Sequence, residues 1–348
     1  MHINKLVIDF PIYSVKRDWL IAPSTYLVDS FEPFVEEVSL PEVSTKPGKL
    51  KLFYCDVGNS KYSGGFRFKF IKNLIGELIL RNEYIDKPFI DLRGYSPGNI
   101  AHAIMIHLTL AIYSRDFAKS INISNPVLLF PKKLPHYINS LFNSIGFETI
   151  LSNADFEGPE IKFELDSTNS LRGNFHEVIK IYFSDTDFDK KLLALHKNLP
   201  KKIFISRKDT RRLMNEQSVE KFLEKKGFKK VYLEDYPILE QVALVSLADT
   251  VVAIHGAALG PVVFRVLFKT KPLKLIEIYS PAHMTNVYRI IAHQINANWI
   301  GVRGRAWPKL IKQAYECEPS KVRQYSLNDF ELCLISLENA LNRINDED

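Results

Sequence analysis

Two series of apolar strands alternating with amphipathic helices, at residues 87–151 and 201–279, predict an α/β protein of two parallel-sheet domains. A polar stretch with an Asp-rich end, at 152–189, separates them and reads as irregular linking chain. Length agrees, since 348 residues allow two domains of ordinary size, each burying well over half of its unfolded surface. Composition agrees as well, because 46% apolar and 25% charged residues are those of a folded globular chain.

The first 60 residues hold short apolar runs at 6–10 and 50–54 between Pro-rich, acidic loops, and read equally as edge strands or a variable cap. Residues 87–92 form a strand and 94–98 its turn. Asn99 then caps a helix reaching about residue 113. A buried strand at 125–130, a helix at 135–145 stopped by Gly146, and a strand at 147–151 complete the first series. The second opens with a strand at 201–206. Asn215 sits where a helix cap belongs, with Glu216 in the first turn and Lys225 and Lys226 in the last, both signs favourable to the helix dipole. Gly227 ends that helix. A strand at 230–233, a helix at 238–247, a strand at 250–254, a helix from Ala257 and a strand at 273–279 follow.

The chemistry gathers at two strand-to-helix turns about fifty residues apart. In open α/β sheets such turns face the crevice beyond the carboxyl ends of the strands, where ligands bind. The first carries Ser206, Arg207, Lys208, Arg211 and Arg212. Guanidinium groups grip phosphate oxygens in a planar, bidentate way and stay charged at any working pH. The plain alternative is a solvated basic face. The second turn is His255-Gly256-Ala257-Ala258, whose small residues let a backbone approach a ligand closely. The helix opening there can aim free N–H groups at phosphate or ribose oxygens. Spacing alone fits a tight turn with a buried histidine equally well. Glu240-Gln241 opens the preceding helix, and Glu234 or Asp235 lies on the loop before it, suited to ribose hydroxyls or to water.

Ser206-Arg207, Arg211, Leu213, Asn215-Glu216, Glu240-Gln241, Ala248-Asp249 and His255-Gly256-Ala257, with Asn99-Ile-Ala-His102 upstream, resemble glycosyltransferase family 61, the DUF563-like group. The resemblance spans roughly residues 90–280. It implies a GT-B fold, two Rossmann-like domains facing a central cleft, with an acceptor domain at 1–185 and a nucleotide-sugar domain at 186–348. It implies that Arg207 and Arg211 hold the donor diphosphate, with Asn215, Glu240, His255, Gly256, Ala257 and Ala258 in the same donor site. Many relatives have Gly where this chain has Ala258, a small change in fine geometry.

The expected activity is inverting transfer of a sugar from a nucleotide donor, UDP-linked by expectation, to a glycan hydroxyl in capsule, O-antigen or other surface-polysaccharide synthesis. Inverting transfer needs a base for the acceptor hydroxyl, and His102, in the first turn of its helix, is the candidate; a core or capping histidine fits as well. His107, five residues on, diverges from His102 on an ideal α-helix. Glu160, Asp166 and Glu177 are unranked candidates for the base. A pyruvyl or related group transferase on the same scaffold, and a nucleotide-binding scaffold subunit without turnover, are the alternatives.

A net charge of +6 without arginine-glycine repeats, zinc spacings or long lysine runs speaks against nucleic acid as a partner. Cys55, Cys317 and Cys333 cannot all pair and have no metal-ligand spacing, which reads as free thiols in a reducing compartment. Neither a signal peptide nor an apolar run of about 18 residues is present, so the expected location is cytoplasmic. Trp307 reads first as ordinary packing and otherwise as a contact with a membrane headgroup or the glycan, which would give a peripheral contact with a lipid-linked acceptor. Asp185-Thr186-Asp187 has the form of a metal motif but not its place after a nucleotide-binding strand, so no metal is expected, the arginines neutralising the diphosphate instead.

Overall fold

The computed structural model describes residues 5–23, 35–62, 83–168, 175–183, 187–196, 199–268, 271–306 and 325–346. Trp307, Cys317 and Asp185 lie outside them. The chain divides into unit one, Met1–Ile12 with Thr45–Tyr182, and unit two, Tyr13–Ser44 with Phe183–Asp348.

The strands run in chain order from β1 (Lys5–Phe10), β2 (Ser14–Val15), β3 (Asp18–Pro23), β4 (Val35–Leu40) and β5 (Val43–Ser44) to the long β6 (Gly48–Ser60). Then come β7 (Glu83–Tyr84), β8 (Phe89–Asp91), β9 (Val127–Phe130), β10 (Thr149–Leu151) and β11 (Phe156–Leu165). The last five are β12 (Lys202–Ile205), β13 (Lys229–Val231), β14 (Thr250–Ile254), β15 (Lys274–Tyr279) and β16 (Asn298–Arg303). The whole is mixed α/β, with parallel strands in both large sheets.

Unit one is built on a sheet of order β1-β6-β11-β8-β9-β10, with β7 alongside β11. Strands β11, β8, β9 and β10 are parallel, whereas β1 and β6 join antiparallel. The stretch read as irregular linking chain contains β11, a ten-residue strand in the middle of this sheet. Its charged outward positions and Gly158 hide the alternation, and a register shift between Gly158 and Glu160 breaks the pairing with β6. Helix Phe175–Phe183 lies within that stretch too, and helix Phe188–His196 begins at its end.

Asn99 caps its helix as expected, its Oδ1 accepting from the amides of Ala101 (3.0 Å) and His102 (3.3 Å). The helix continues beyond the expected end, as Ile100–His102, a π-helical stretch Ala103–Leu108, then Thr109–Ser120. The π stretch overturns the divergence of His102 and His107 expected from ideal α geometry. Bonds there run i→i+5, so residues five apart stack, and His107 Nδ1 lies 3.0 Å from the His102 carbonyl.

Unit two carries a sheet of order β13-β12-β14-β15-β16-β3-β4, parallel except for β4. Counting β12 to β16 as one to five, the order is 2-1-3-4-5, that of a doubly wound sheet whose topological switch lies between β12 and β14. Residues from the N-terminal segment extend this sheet as the β3-β4 hairpin. Arg289 fastens that hairpin to the helix Val287–Gln294: fully buried, it donates to Asp18 Oδ2 (2.6 Å) and to the carbonyls of Lys16 (2.8 Å) and Pro41 (2.7 Å).

Alternate residues of the parallel strands, Phe204, Val252, Ile254, Ile276, Ile278, Ile300 and Val302, pack on one face against helices Glu216–Glu224 and Leu334–Asp346. Each such buried side chain contributes about 1.5–3 kcal/mol of transfer free energy. His255, Glu277 and Trp299 have the opposite strand parity and therefore belong to the other face.

Candidate functional site

The two chemical turns leave β12 and β14 side by side, at the switch point of the unit-two sheet. Both strands are apolar and fully paired, so their ends hold the turns firmly. Arg207 and Arg211 converge on one acceptor, the carbonyl oxygen of His255, with Nη1 at 3.3 and 3.2 Å. Arg207 is further held by Thr210, Nε donating to its carbonyl (2.7 Å) and Nη2 to its hydroxyl (3.3 Å). Arg211 donates through Nε to the Ser326 carbonyl at 2.6 Å. Its backbone is left-handed, φ 57°, an uncommon conformation for a side chain of this size and one that costs energy to hold.

The other cations on this loop behave differently. Lys208 forms an ion pair with Asp235, and Arg212 pairs with Asp329 at 2.6 Å instead of simply facing water. Among the described residues no carboxylate lies within ion-pair distance of Arg207 or Arg211. Burial works against the charged form of both guanidinium groups, and Arg207 adds to the effect at Arg211. Two part-buried cations aimed at one point without a counter-charge are electrostatically incomplete; an anion carrying two or more charges would complete them.

Gly256 is required by space. Its φ of 166° is ordinary extended backbone, but a Cβ there would lie 1.8 Å from Arg207 Nη1. Ala257 and Ala258 begin the helix Ala257–Leu267, which is 3-10 rather than α, and Pro261 inside it suits the tighter winding.

His255 itself is buried and fixed from behind by residues the sequence reading did not single out. Its Nδ1 stands 2.5 Å from Glu277 Oε1, while Glu277 Oε2 accepts from Tyr279 Oη (2.7 Å) and Trp299 Nε1 (2.9 Å). With Glu277 the acceptor in all three bonds, His255 carries a proton on Nδ1, and Nε2 is the ring nitrogen this bond leaves unused. Space for the group comes from the neighbours: Glu277 pairs with Ala253 and Gly301, and the Trp299 ring lies across Gly301. His283 adds a second imidazole, 5.1 Å from His255 ring to ring. Burial, then Arg211, then His255 lower its pKa to about 4, so it is neutral at pH 7. No local signal marks Glu277 or His283, since each reaches the cluster only through strand pairing or a loop.

The remaining candidates are dispersed. Asn215 occupies the cap position of Glu216–Glu224 but makes no capping bond. Its amide instead clamps Leu332, Nδ2 donating to the carbonyl (2.8 Å) and Oδ1 accepting from the amide (3.0 Å). Glu216 accepts from Ser206 Oγ and from Tyr232 Oη (3.1 Å), tying the end of β12 to the helix start. Glu240 is half-buried in the first turn of Ile238–Leu247, on the same sheet edge as the arginines. Asp235 is occupied by Lys208, and Glu234 acts on Arg207 only through space.

In unit one, His102 is half-buried with Nδ1 3.1 Å from the Tyr95 carbonyl. His107 is fully buried, its Nε2 2.9 Å from the Gly94 carbonyl. Asp166 and Glu177 are partly or fully exposed, and Glu160 is buried.

No curated protein sequence matches the chain. A family match exists over residues 145–270, which contain both turns but not the Asn99–His102 stretch, Glu277 or His283. The family is described as Glycosyltransferase 61, and over that stretch the chain is similar to it.

Proposed function

We propose that the protein is an inverting GT-B glycosyltransferase that moves a sugar from a nucleoside-diphosphate donor, UDP-linked by preference, to a glycan hydroxyl. The observation that carries this reading is the contrast within one loop. Lys208 and Arg212 have carboxylate partners, whereas Arg207 and Arg211 turn together to the switch point without one. As the glycosidic bond breaks, the leaving diphosphate gains negative charge, and cations fixed there stabilise the transition state more than the ground state. The same two charges fill the place a divalent cation takes elsewhere, so the reaction proceeds without added metal.

In this reading unit two is the donor domain, with Gly256, Ala257 and Ala258 giving the nucleotide close backbone approach and Glu240 facing the ribose. Asn215 supports the donor loop through its Leu332 clamp. His102 of unit one takes the acceptor proton. The product belongs to a capsule, O-antigen or related surface glycan built on a lipid-linked acceptor at the cytoplasmic face of a membrane. No helix among the described residues is long and apolar enough to cross one.

A thermal-shift series with UDP, UDP-sugars and phosphoenolpyruvate on the wild type and Arg207→Ala tests the donor assignment, because a ligand of the folded state raises apparent stability. A UDP shift that disappears in Arg207→Ala is expected. A shift with phosphoenolpyruvate alone would overturn the reading.

A further inference from the structure

A cavity of about 510 Å³ opens in unit one beyond the carboxyl end of β8, within the ~300–1,000 Å³ range of small-molecule sites. Its wall includes Ser60, Asp91, Arg93, Ser96, Glu160 and Phe163. Two of these close on each other. Asp91 Oδ1 accepts from the Arg93 amide (2.9 Å) and Nε (3.0 Å), and Oδ2 accepts from Nη2 (2.7 Å) and from Ser60 Oγ. That pair is neutral and internally satisfied.

Glu160 is not. It is 5% exposed, and its Oε2 has no hydrogen-bond partner; the nearest cation, Lys162 Nζ, is 3.7 Å away. The register shift between Gly158 and Glu160 re-aims this side chain across Gly58, where a Cβ would lie 2.2 Å from Oε2. Burial raises the Glu160 pKa, with Lys162 opposing. A buried carboxylate oxygen without a donor is costly and calls for one.

The loop forming another wall is strained as well. Tyr95 and Ser96 are consecutive left-handed residues, φ 55° and 54°, pinned through the Tyr95 carbonyl to His102 and the Gly94 carbonyl to His107. Such strain persists where surrounding structure over-determines it and concentrates at ligand sites.

We propose that this cavity is a binding subsite for one neutral sugar ring, whose hydroxyls donate to Glu160 Oε2 and whose C–H face packs on Phe163. This rests on the glycosyltransferase reading and names where the acceptor is held. The chemistry selects the ligand. A phosphate or carboxylate would set its charge against the buried Glu160 carboxyl, and with Arg93 committed to Asp91 only Lys61 of the wall would be left to balance it. A hydroxylated ring supplies the missing donors and brings no charge of its own beside Glu160.

The test is saturation-transfer NMR on the full-length protein with methyl glycosides of glucose, galactose, xylose and N-acetylglucosamine. The wild type is compared with Glu160→Gln, Phe163→Ala and Arg207→Ala, each checked for folding by its melting curve. At least one glycoside binds the wild type, binds at least about tenfold more weakly to both Glu160→Gln and Phe163→Ala, and is unaffected by Arg207→Ala. No binding to the wild type, binding that survives either cavity substitution, or loss in Arg207→Ala alone would overturn the proposal. Should Glu160→Gln fail to fold, Phe163→Ala decides it. The UDP melting shift reads the donor site separately, so glycoside binding without a UDP shift removes the donor reading and leaves the subsite, and the converse removes the subsite alone.

Discussion

Replacing Gly256 by alanine isolates the packing of Arg207 over the His255–Gly256 turn. Alanine adopts a φ of 166° without strain, so the effect is steric. The new Cβ would lie 1.8 Å from Nη1 and 3.0 Å from Cζ. Ordinary contact needs about 3.5 Å, so the guanidinium must retreat by roughly 1.5–2 Å. That breaks the 3.3 Å bond to the His255 carbonyl, while the 2.7 Å bond from Nε to Thr210 resists the movement. A cost to stability of about 1–2 kcal/mol follows from one lost bond and local overpacking.

Binding should suffer more, because a phosphate contact from a displaced guanidinium forfeits about 1.5–3 kcal/mol, or roughly 10- to 150-fold in affinity. Titration calorimetry with UDP on the wild type, Gly256→Ala, Arg207→Ala and the double variant reads this directly. If Gly256 acts through Arg207, the double variant binds no more weakly than Arg207→Ala alone. Gly256→Ala binding UDP like the wild type, or two losses that simply add, would refute the reasoning.

Two further outcomes test the frame around the site. Asp18→Ala leaves the Arg289 guanidinium buried with only carbonyl partners, and a loss of about 3 kcal/mol is expected, seen as a fall in Tm of roughly 6–12 °C; a variant melting with the wild type would show that the β3-β4 hairpin does not depend on this tie. His283 has a folded pKa of about 4 against 6.5 for the free side chain, so between those values the unfolded chain binds more protons. Stability therefore falls as pH drops from about 6.5 toward 4, by about 1–2 kcal/mol because the ring is partly open to water. Denaturant midpoints of the wild type and His283→Gln at pH 7 and pH 4.5 check this, the variant losing less.

Local pattern reached far in the second half of the chain. The helix at 238–247 and the strand at 250–254 fall where periodicity and turn residues place them, because a parallel strand buried on both faces is a short apolar run closed by a turn. Polar positions concealed β11, whose ten residues present charges on one side and break step at Gly158. The π stretch after His102 was equally hidden, since five residues of Ala, Ile, Met and Leu fit an α-helix as well.

The sequence by itself determined the α/β class, the two strand-to-helix turns and the meeting of Arg207, Arg211 and His255 at one sheet edge. Strand direction and turn chemistry are short-range properties, and residues just beyond neighbouring parallel strands must end up together. Tertiary structure alone decided which cations have carboxylate partners, that Glu277 holds His255 across a sequence separation of 22, that β3 and β4 extend the second sheet, and that Glu160 lies buried with an open oxygen. Those depend on strand register and on the space left by Gly58, Gly256 and Gly301. Both are set by contacts between distant segments, which no local pattern encodes.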